Sequence, residues 1–126
     1  HELHNDEVDF AIWCHYKYMN SGPGGTGGLF IHERHHHELP GLAGWFGSDK
    51  SKQFDMSHEF SKAAGAGAYQ IGTPNLFSTA PLSGSVELFE EAGMDAIRNK
   101  SLALTQYLRD LVKIELKGFN FNDVTA

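Results

Sequence analysis

Apolar residues fall in short runs in the first third of the chain and at helical spacing in the last third. Residues 8–14, Val-Asp-Phe-Ala-Ile-Trp-Cys, are a nearly continuous apolar run rich in β-formers. Such a run predicts a strand buried on both faces, as in a parallel sheet. A glycine-dense segment at 16–28 separates it from a second, shorter predicted strand at 29–32. The mixed text of 33–65 predicts irregular structure with short helices.

The final third predicts helices. Residues 81–92 carry apolar side chains at helical spacing, and Gly93 interrupts the pattern. After Gly93 an apolar stripe continues on one face of a period-3.6 helix, with the members Met94, Ile97, Leu104, Leu108 and Leu111. We therefore expect strands followed by a long, core-facing helix, which is an α/β arrangement.

Composition narrows the function classes. The chain has 126 residues, 40% hydrophobic, and a formal charge of −6, whereas a nucleic-acid-binding face needs surplus Lys and Arg. No apolar run reaches the roughly 18 residues of a membrane span. The single Cys14 permits no internal disulfide and favours a cytoplasmic setting. Because the chain begins without Met and ends without a clear closing element, we expect an internal fragment.

Lys17 directly follows the predicted strand and opens the glycine-rich loop. Ligands of open α/β sheets gather at the carboxyl ends of strands, where an amine would be held rigidly. Tyr16 beside it could donate its hydroxyl to a phosphate, and the glycines would let a cofactor lie against the backbone. On pattern alone a solvated loop lysine is the stronger interpretation.

Three other motifs are weaker. His32, Glu33 and His36 satisfy H-E-x-x-H, but His32 ends a predicted strand and Pro40 soon blocks a helix, so we predict no metal site. Cys14, inside an apolar run, is interpreted as an inert core thiol rather than a nucleophile. Thr73 stands in the turn Gly72-Thr73-Pro74-Asn75, which could hold a phosphate oxygen, although on the pattern alone a plain turn is the stronger interpretation.

Several ordered motifs resemble the kynureninase family. They are Val8–Ala11, Trp13–Asn20, the Gly22-Pro23-Gly24-Gly25 turn, Phe30–Pro40, Gly44–Gly47, Asp49–Ser51, Phe54–Met56 and Gly72–Pro74. Together the matches extend over about two thirds of the chain in family order, and several are specific to this family.

The resemblance implies a fragment of the large domain of a fold-type-I pyridoxal phosphate (PLP) enzyme, related to class V aminotransferases. Its fold class is α/β, with mainly parallel strands, a glycine-rich cofactor loop and a long C-terminal helix leading to the small domain. Lys17 matches the lysine that forms the Schiff base with PLP. Tyr16 matches a phosphate ligand, Trp45 a residue of the cofactor and substrate pocket, and Thr73 a phosphate contact across a homodimer interface.

The implied reaction is hydrolysis of L-kynurenine or 3-hydroxykynurenine to anthranilate or 3-hydroxyanthranilate and L-alanine, a step of tryptophan catabolism and NAD biosynthesis. By the same resemblance, residues 1–93 would be the C-terminal part of the PLP-binding large domain, and 94–126 would be the connecting helix and the start of the small domain. The aspartate at the pyridine nitrogen, the first phosphate loop and the arginine for the substrate carboxylate would lie outside these residues. We therefore predict that the 126 residues alone do not turn over kynurenine.

Three positions depart from common family residues. Ser48 stands where many members have His, which leaves the substrate-ring preference open. Thr73 stands where animal members often have Asn, and His15 replaces a common Ser. Two alternatives stay open: another class V PLP enzyme, such as a cysteine desulfurase or aminotransferase, and a non-catalytic metal-binding module using His32, His35, His36 and His37.

Overall fold

A computed structural model describes residues 1–119. The chain divides into two compact units, His1–Val86 and Glu87–Ala126. The first holds two strands and three short 3₁₀ turns, and the second holds the longer of two α-helices. The predicted domain boundary at residue 93 stays a prediction.

Strands β1 (Phe10–Cys14) and β2 (Gly27–Ile31) confirm the two predicted strands, but they pair antiparallel. Phe10 lies opposite Ile31, and Cys14 lies opposite Gly27. The expectation of parallel strands is therefore wrong for this pair. A parallel neighbour needs a crossover connection, usually a helix, whereas the loop 15–26 between these strands holds no helix and returns the chain in the opposite direction.

The prediction that β1 is buried on both faces is also wrong for the described residues. Ile12 is 83% exposed and Phe10 51% exposed, because no further sheet or helix layer covers them in unit His1–Val86. Among residues 1–119 the buried apolar side chains are Ile31, at the end of β2, and Ala68. Ala68 belongs to a 3₁₀ turn, Gly65–Tyr69, that packs on β2. Cys14 is half-buried and free.

The mixed segment forms irregular structure with short helical turns, as predicted. Two turns, Glu33–His35 and Trp45–Gly47, lie within the predicted segment 33–65, and a third, Gly65–Tyr69, begins at its last residue. The second turn packs against the third. This contact brings the middle of the chain back to the segment that leads into the first α-helix.

Helix α1 (Leu76–Ala92) begins five residues before the predicted start at Pro81. The Asn75 side chain explains the earlier start, because its Oδ1 accepts hydrogen bonds from the amides of Phe77 (3.0 Å) and Ser78 (3.2 Å). Pro81 lies inside the helix, where it donates no backbone hydrogen bond.

Helix α2 (Met94–Glu115) confirms the predicted long C-terminal helix, and it begins after Gly93, whose φ is +76°. Its apolar stripe is not core-facing in the described residues. Leu104 is 58% exposed and Leu108 60% exposed. Neither helix of the described part of the chain is long and apolar enough to cross a membrane.

Candidate functional site

The loop that follows β1 carries Tyr16 and Lys17, both exposed. Two backbone hydrogen bonds close this loop: the Ser21 amide donates to the His15 carbonyl (3.1 Å), and the Asn20 amide donates to the Lys17 carbonyl (3.0 Å). Asn20 completes the turn in the left-handed region with φ +54°. The predicted lysine therefore projects from a short, hydrogen-bonded turn at a strand end.

The Lys17 ammonium is available for chemistry. Its contact among the described residues is the Tyr16 ring, with Nζ 5.5 Å from the ring centroid. No ion pair of residues 1–119 includes it. An amine without a carboxylate partner can react with an aldehyde once it has lost a proton.

The glycine-rich turn after this loop leaves open space. Gly22 and Gly24 have φ of +80° and +74°, and a Cβ at either would meet nothing within 4 Å. Gly25, by contrast, lies against Ser21, so that a Cβ there would come within 2.1 Å of the Ser21 Oγ. The turn thus packs inward through Gly25 and stays open through Gly22 and Gly24, which suits close approach of a bulky ligand.

Trp45 is held by a turn that needs two glycines. A Cβ at Gly44 would lie 2.2 Å from the Ile71 carbonyl oxygen, and a Cβ at Gly47 would lie 2.3 Å from that of Ala68. The Trp45 ring makes an edge contact with Phe54, with centroids 5.5 Å apart. The Trp45 backbone carbonyl accepts a 2.8 Å hydrogen bond from the Gln53 side chain. The close approach of the two backbones fixes where this half-exposed indole sits.

An open cavity of about 570 Å³ lies beside Trp45. It is lined by Trp45, Ser48 and most residues of the segment 52–61, including Lys52 and His58. Ser48, the departure that leaves the substrate ring undecided, therefore lies at the same cavity as the predicted pocket tryptophan.

Thr73 lies exposed between the Gly65–Tyr69 turn and α1. It follows Ile71 by two residues, and the Ile71 carbonyl accepts a 3.4 Å hydrogen bond from the Phe46 amide, next to Trp45. The structure thus links the segments that carry Trp45 and Thr73. Among the described residues no hydrogen bond, ion pair or ring contact joins Tyr16 or Lys17 to either of them.

The histidines of the H-E-x-x-H string are engaged in other contacts. His32 Nδ1 accepts from the Arg34 amide (3.2 Å), and His36 Nε2 lies 3.0 Å from the Ile31 carbonyl oxygen. Glu33 begins a 3₁₀ turn rather than the α-helix that the H-E-x-x-H motif needs. In the described part of the chain no three His, Cys, Asp or Glu side chains gather as a metal site.

His35 is held between two carboxylates. Its Nε2 lies 2.7 Å from Asp9 Oδ1, and its Nδ1 lies 2.9 Å from Glu38 Oε1. The hydrogen bond to Asp9, and then that to Glu38, raises the pKa of His35 above its ordinary 6.5. The hydrogen bond from His35 in turn lowers the pKa of Asp9 and of Glu38. Arg34 adds a 3.0 Å ion pair to Asp9.

Sequence reasoning left His15 without a role. The structure places its ring between the Trp13 indole and the Thr26 carbonyl, two residues before Lys17. The available signal was the Trp-x-His spacing, which puts both side chains on one face of an extended chain.

Comparison with known proteins agrees with the resemblance. The family model described as aminotransferase class-V matches residues 1–125. The chain is 57% identical over 121 residues to a kynureninase of Bacillus mycoides, covering 96% of this chain and 28% of that protein. A kynureninase of Geobacillus thermodenitrificans is 60% identical over 114 residues, covering 90% of this chain and 27% of that protein.

A kynureninase of Shouchella clausii is 54% identical over 121 residues, 96% of this chain and 28% of its own length. The chain therefore spans a little over a quarter of the length of these curated relatives. The match to the family model extends from the first strand to beyond the second helix. On this evidence the chain belongs to the class V aminotransferase family.

Proposed function

We propose that this chain is part of a PLP-dependent kynureninase, which converts L-kynurenine or 3-hydroxykynurenine and water to anthranilate or 3-hydroxyanthranilate and L-alanine. The observation that carries the proposal is the exposed Tyr16–Lys17 pair on its closed turn at the end of β1. The identity of 57% and 60% to two proteins named kynureninase, over 121 and 114 residues, supports the proposal.

The residues present fit PLP. Lys17 offers an amine that has no carboxylate partner among residues 1–119, and Tyr16 offers an exposed hydroxyl. The turn that follows them leaves open space at Gly22 and Gly24. When bound, PLP would withdraw electrons from the substrate's α-carbon, which is the cofactor's own contribution. Trp45 would contribute an aromatic face. Thr73 would contribute a hydroxyl that binds the cofactor phosphate across the interface of a homodimer.

Lys17 would have two tasks. Its Nζ would hold the cofactor covalently, and the same Nζ, once free, would accept the proton from the substrate's α-carbon. The closed turn from His15 to Ser21 limits how far this amine can move between the tasks. Tyr16 would keep the phosphate in place by donating its hydroxyl hydrogen bond.

Ring preference would depend on the cavity beside Trp45 and Ser48. Ser48 is smaller than the histidine common at this position in the family, and a hydroxyl can donate and accept a hydrogen bond. The cytoplasm is the setting we propose, in keeping with the single free Cys14.

The first test is made on a full-length protein carrying this segment. We expect an absorbance band of lysine-bound PLP and formation of anthranilate from L-kynurenine. Lys17→Ala should lower turnover by roughly a hundred- to ten-thousandfold, the range of a lost general base. Lys100→Ala, an exposed change on α2, is the matched control and should stay within about twofold.

Full activity of Lys17→Ala would overturn the role of Lys17. The runner-up, a cysteine desulfurase or aminotransferase of the same family, is separated by assaying L-cysteine and pairs of amino acids with 2-oxo acids. Sulfide release or amino transfer without anthranilate would favour that alternative over the proposal.

A further inference from the structure

The His15 ring bridges β1 and the chain entering β2. Its Nε2 lies 2.7 Å from the Trp13 indole Nε1, and its Nδ1 lies 2.8 Å from the Thr26 carbonyl oxygen. The Trp13 and His15 rings meet edge to face, with centroids 5.9 Å apart and planes at 77°. The ring is half-buried and has a partner at each nitrogen.

The chemistry of these partners assigns the proton. An indole N–H can only donate, so His15 Nε2 must carry the lone pair. A carbonyl oxygen can only accept, so His15 Nδ1 must carry the hydrogen. His15 is therefore neutral and in the Nδ1–H tautomer while both bonds hold, and a second proton on Nε2 would break the bond to Trp13.

The ring takes the place of the next rung of the sheet. The register pairs Phe10 with Ile31 and ends with Cys14 opposite Gly27, so the next pair would be His15 and Thr26. At this point the His15 side chain, instead of its backbone, bonds the Thr26 carbonyl. The His15 carbonyl is thereby left to accept from the Ser21 amide, the bond that closes the Lys17 turn.

The indole that holds His15 is itself fixed. Trp13 lies opposite Gly28 across the sheet, and its ring covers that glycine so closely that a Cβ there would come within 2.4 Å of the indole. A side chain at position 28 would push the indole away from His15. Gly28, Trp13 and His15 thus form one packed series that ends two residues before Lys17.

We propose that His15 is a positioning residue for Lys17, acting through the backbone by letting its carbonyl close the turn while its neutral ring ties that turn to β2. The proposal rests on the proposed function of Lys17. A neutral amide can replace each half of the ring's role: Asn keeps a donor at the δ position for Thr26, and Gln keeps an acceptor at the ε position for Trp13.

The kinetic test uses the full-length PLP-loaded protein, with rates given per cofactor-loaded site. His15→Ala should lower kcat by roughly ten- to a hundredfold, the cost of a reacting group displaced by about 1 Å, with KM changed far less. His15→Asn and His15→Gln should restore part of the loss, and Trp13→Phe should cost roughly fivefold. His37→Ala, an exposed histidine, is the matched control and should stay within about twofold.

A purely structural histidine would lower the yield of folded, loaded protein while leaving kcat per loaded site intact, and that outcome would overturn the proposal. If Lys17→Ala is inactive while His15→Ala keeps its kcat, this inference alone has failed. If Lys17→Ala is active, the proposed role of Lys17 has failed, and with it the role in which His15 would assist. A ¹⁵N spectrum of histidine-labelled protein tests the tautomer independently: a signal from unprotonated Nε2 and protonated Nδ1, absent in His15→Gln, is expected, and the opposite tautomer would contradict the geometry.

Discussion

The partners of a histidine ring decide how many protons it carries, and this chain shows both outcomes. His15 faces a donor at one nitrogen and an acceptor at the other, which a neutral ring satisfies. His35 faces a carboxylate at each nitrogen, which only a doubly protonated ring satisfies. Replacement by Gln would therefore affect the two positions differently. At position 15 a Gln could keep the hydrogen bond from Trp13, whereas at position 35 it would lose the positive charge that both carboxylates face.

Ser21 provides a prediction about stability at a single residue. It is 1% exposed, and its Oγ has no hydrogen-bond partner in the described part of the chain. Removing a buried, unpartnered hydroxyl stabilises the folded state, so Ser21→Ala should raise the free energy of unfolding by about 1 kcal/mol. Denaturant unfolding of the full-length protein measures the difference.

The contrasting variant is Ser85→Ala. Ser85 is also buried, but its hydroxyl donates to the Met19 carbonyl, in the same loop that carries Lys17. Its removal should lower the free energy of unfolding, since a part-buried carbonyl loses its donor. Equal effects of the two substitutions would show that Ser21 has a partner after all.

At the scale of elements, the Asp9–His35–Glu38 cluster ties the Glu33–His35 turn to the residue before β1. Because the pKa of His35 is raised, the stabilisation that its protonated ring gives to this cluster is complete below pH 6.5. It is lost as the pH rises through the raised pKa. The pKa values of Asp9 and Glu38 are lowered, so the stabilisation from their carboxylates is complete above pH 3.8 for Asp9 and above pH 4.5 for Glu38. It is lost as the pH falls through the lowered pKa values. Arg34 adds an ion pair to the same Asp9 carboxylate.

We therefore predict strongest tethering of this turn between about pH 4.5 and 6.5 and loosening at higher pH. Amide hydrogen exchange of residues 33–38, corrected for intrinsic rates, measures it in the full-length protein. His35→Gln should remove the pH dependence. Protection that stays flat across the raised pKa of His35 would contradict the cluster's role.

Local pattern predicted the elements better than their surroundings. The apolar run of β1 and the stripe of α2 each indicated the right type of structure, because side-chain periodicity depends on neighbours in sequence. Pairing direction did not follow, since a short apolar run suits parallel and antiparallel sheets alike. The early start of α1 depended on the Asn75 side chain, a local cap within the segment interpreted as a plain turn.

The candidate site divides in the same way. Lys17 and Tyr16 could be proposed from a strand-end lysine beside glycines, and the family resemblance added Trp45 and Thr73. His15 could not be assigned, because its carbonyl partner lies eleven residues away and is brought near only by the strand register. Contacts of that kind become visible once the pairing is known.

At the scale of the whole molecule, the described residues expose an unusual amount of apolar surface. Ile12 is 83% and Phe77 93% exposed, and the stripe of α2 is exposed as well. The chain also spans only 28% of the length of a relative such as that of Bacillus mycoides. We infer that other parts of a longer protein cover these faces.

A prediction follows for the 126 residues produced alone. They should bind a hydrophobic dye such as ANS, associate in size-exclusion chromatography, and fail to form anthranilate from L-kynurenine, since uncovered apolar patches promote association. The full-length protein, assayed in parallel, should show little dye binding and full turnover. A monomeric, dye-free fragment would mean that the apolar faces need no cover.

The glycine contacts beneath Trp45 bear on how this sequence can diverge. At Gly44 and Gly47 a neighbouring carbonyl occupies the space that any other residue's Cβ would need. No single replacement is tolerated there unless the Ile71 and Ala68 backbones move as well. Gly41 and Gly72, which are close to them in sequence or to Ile71, face open space, so other residues can replace them without a clash. Among natural variants that keep the indole in place, therefore, mutational tolerance should alternate sharply between glycines only a few positions apart.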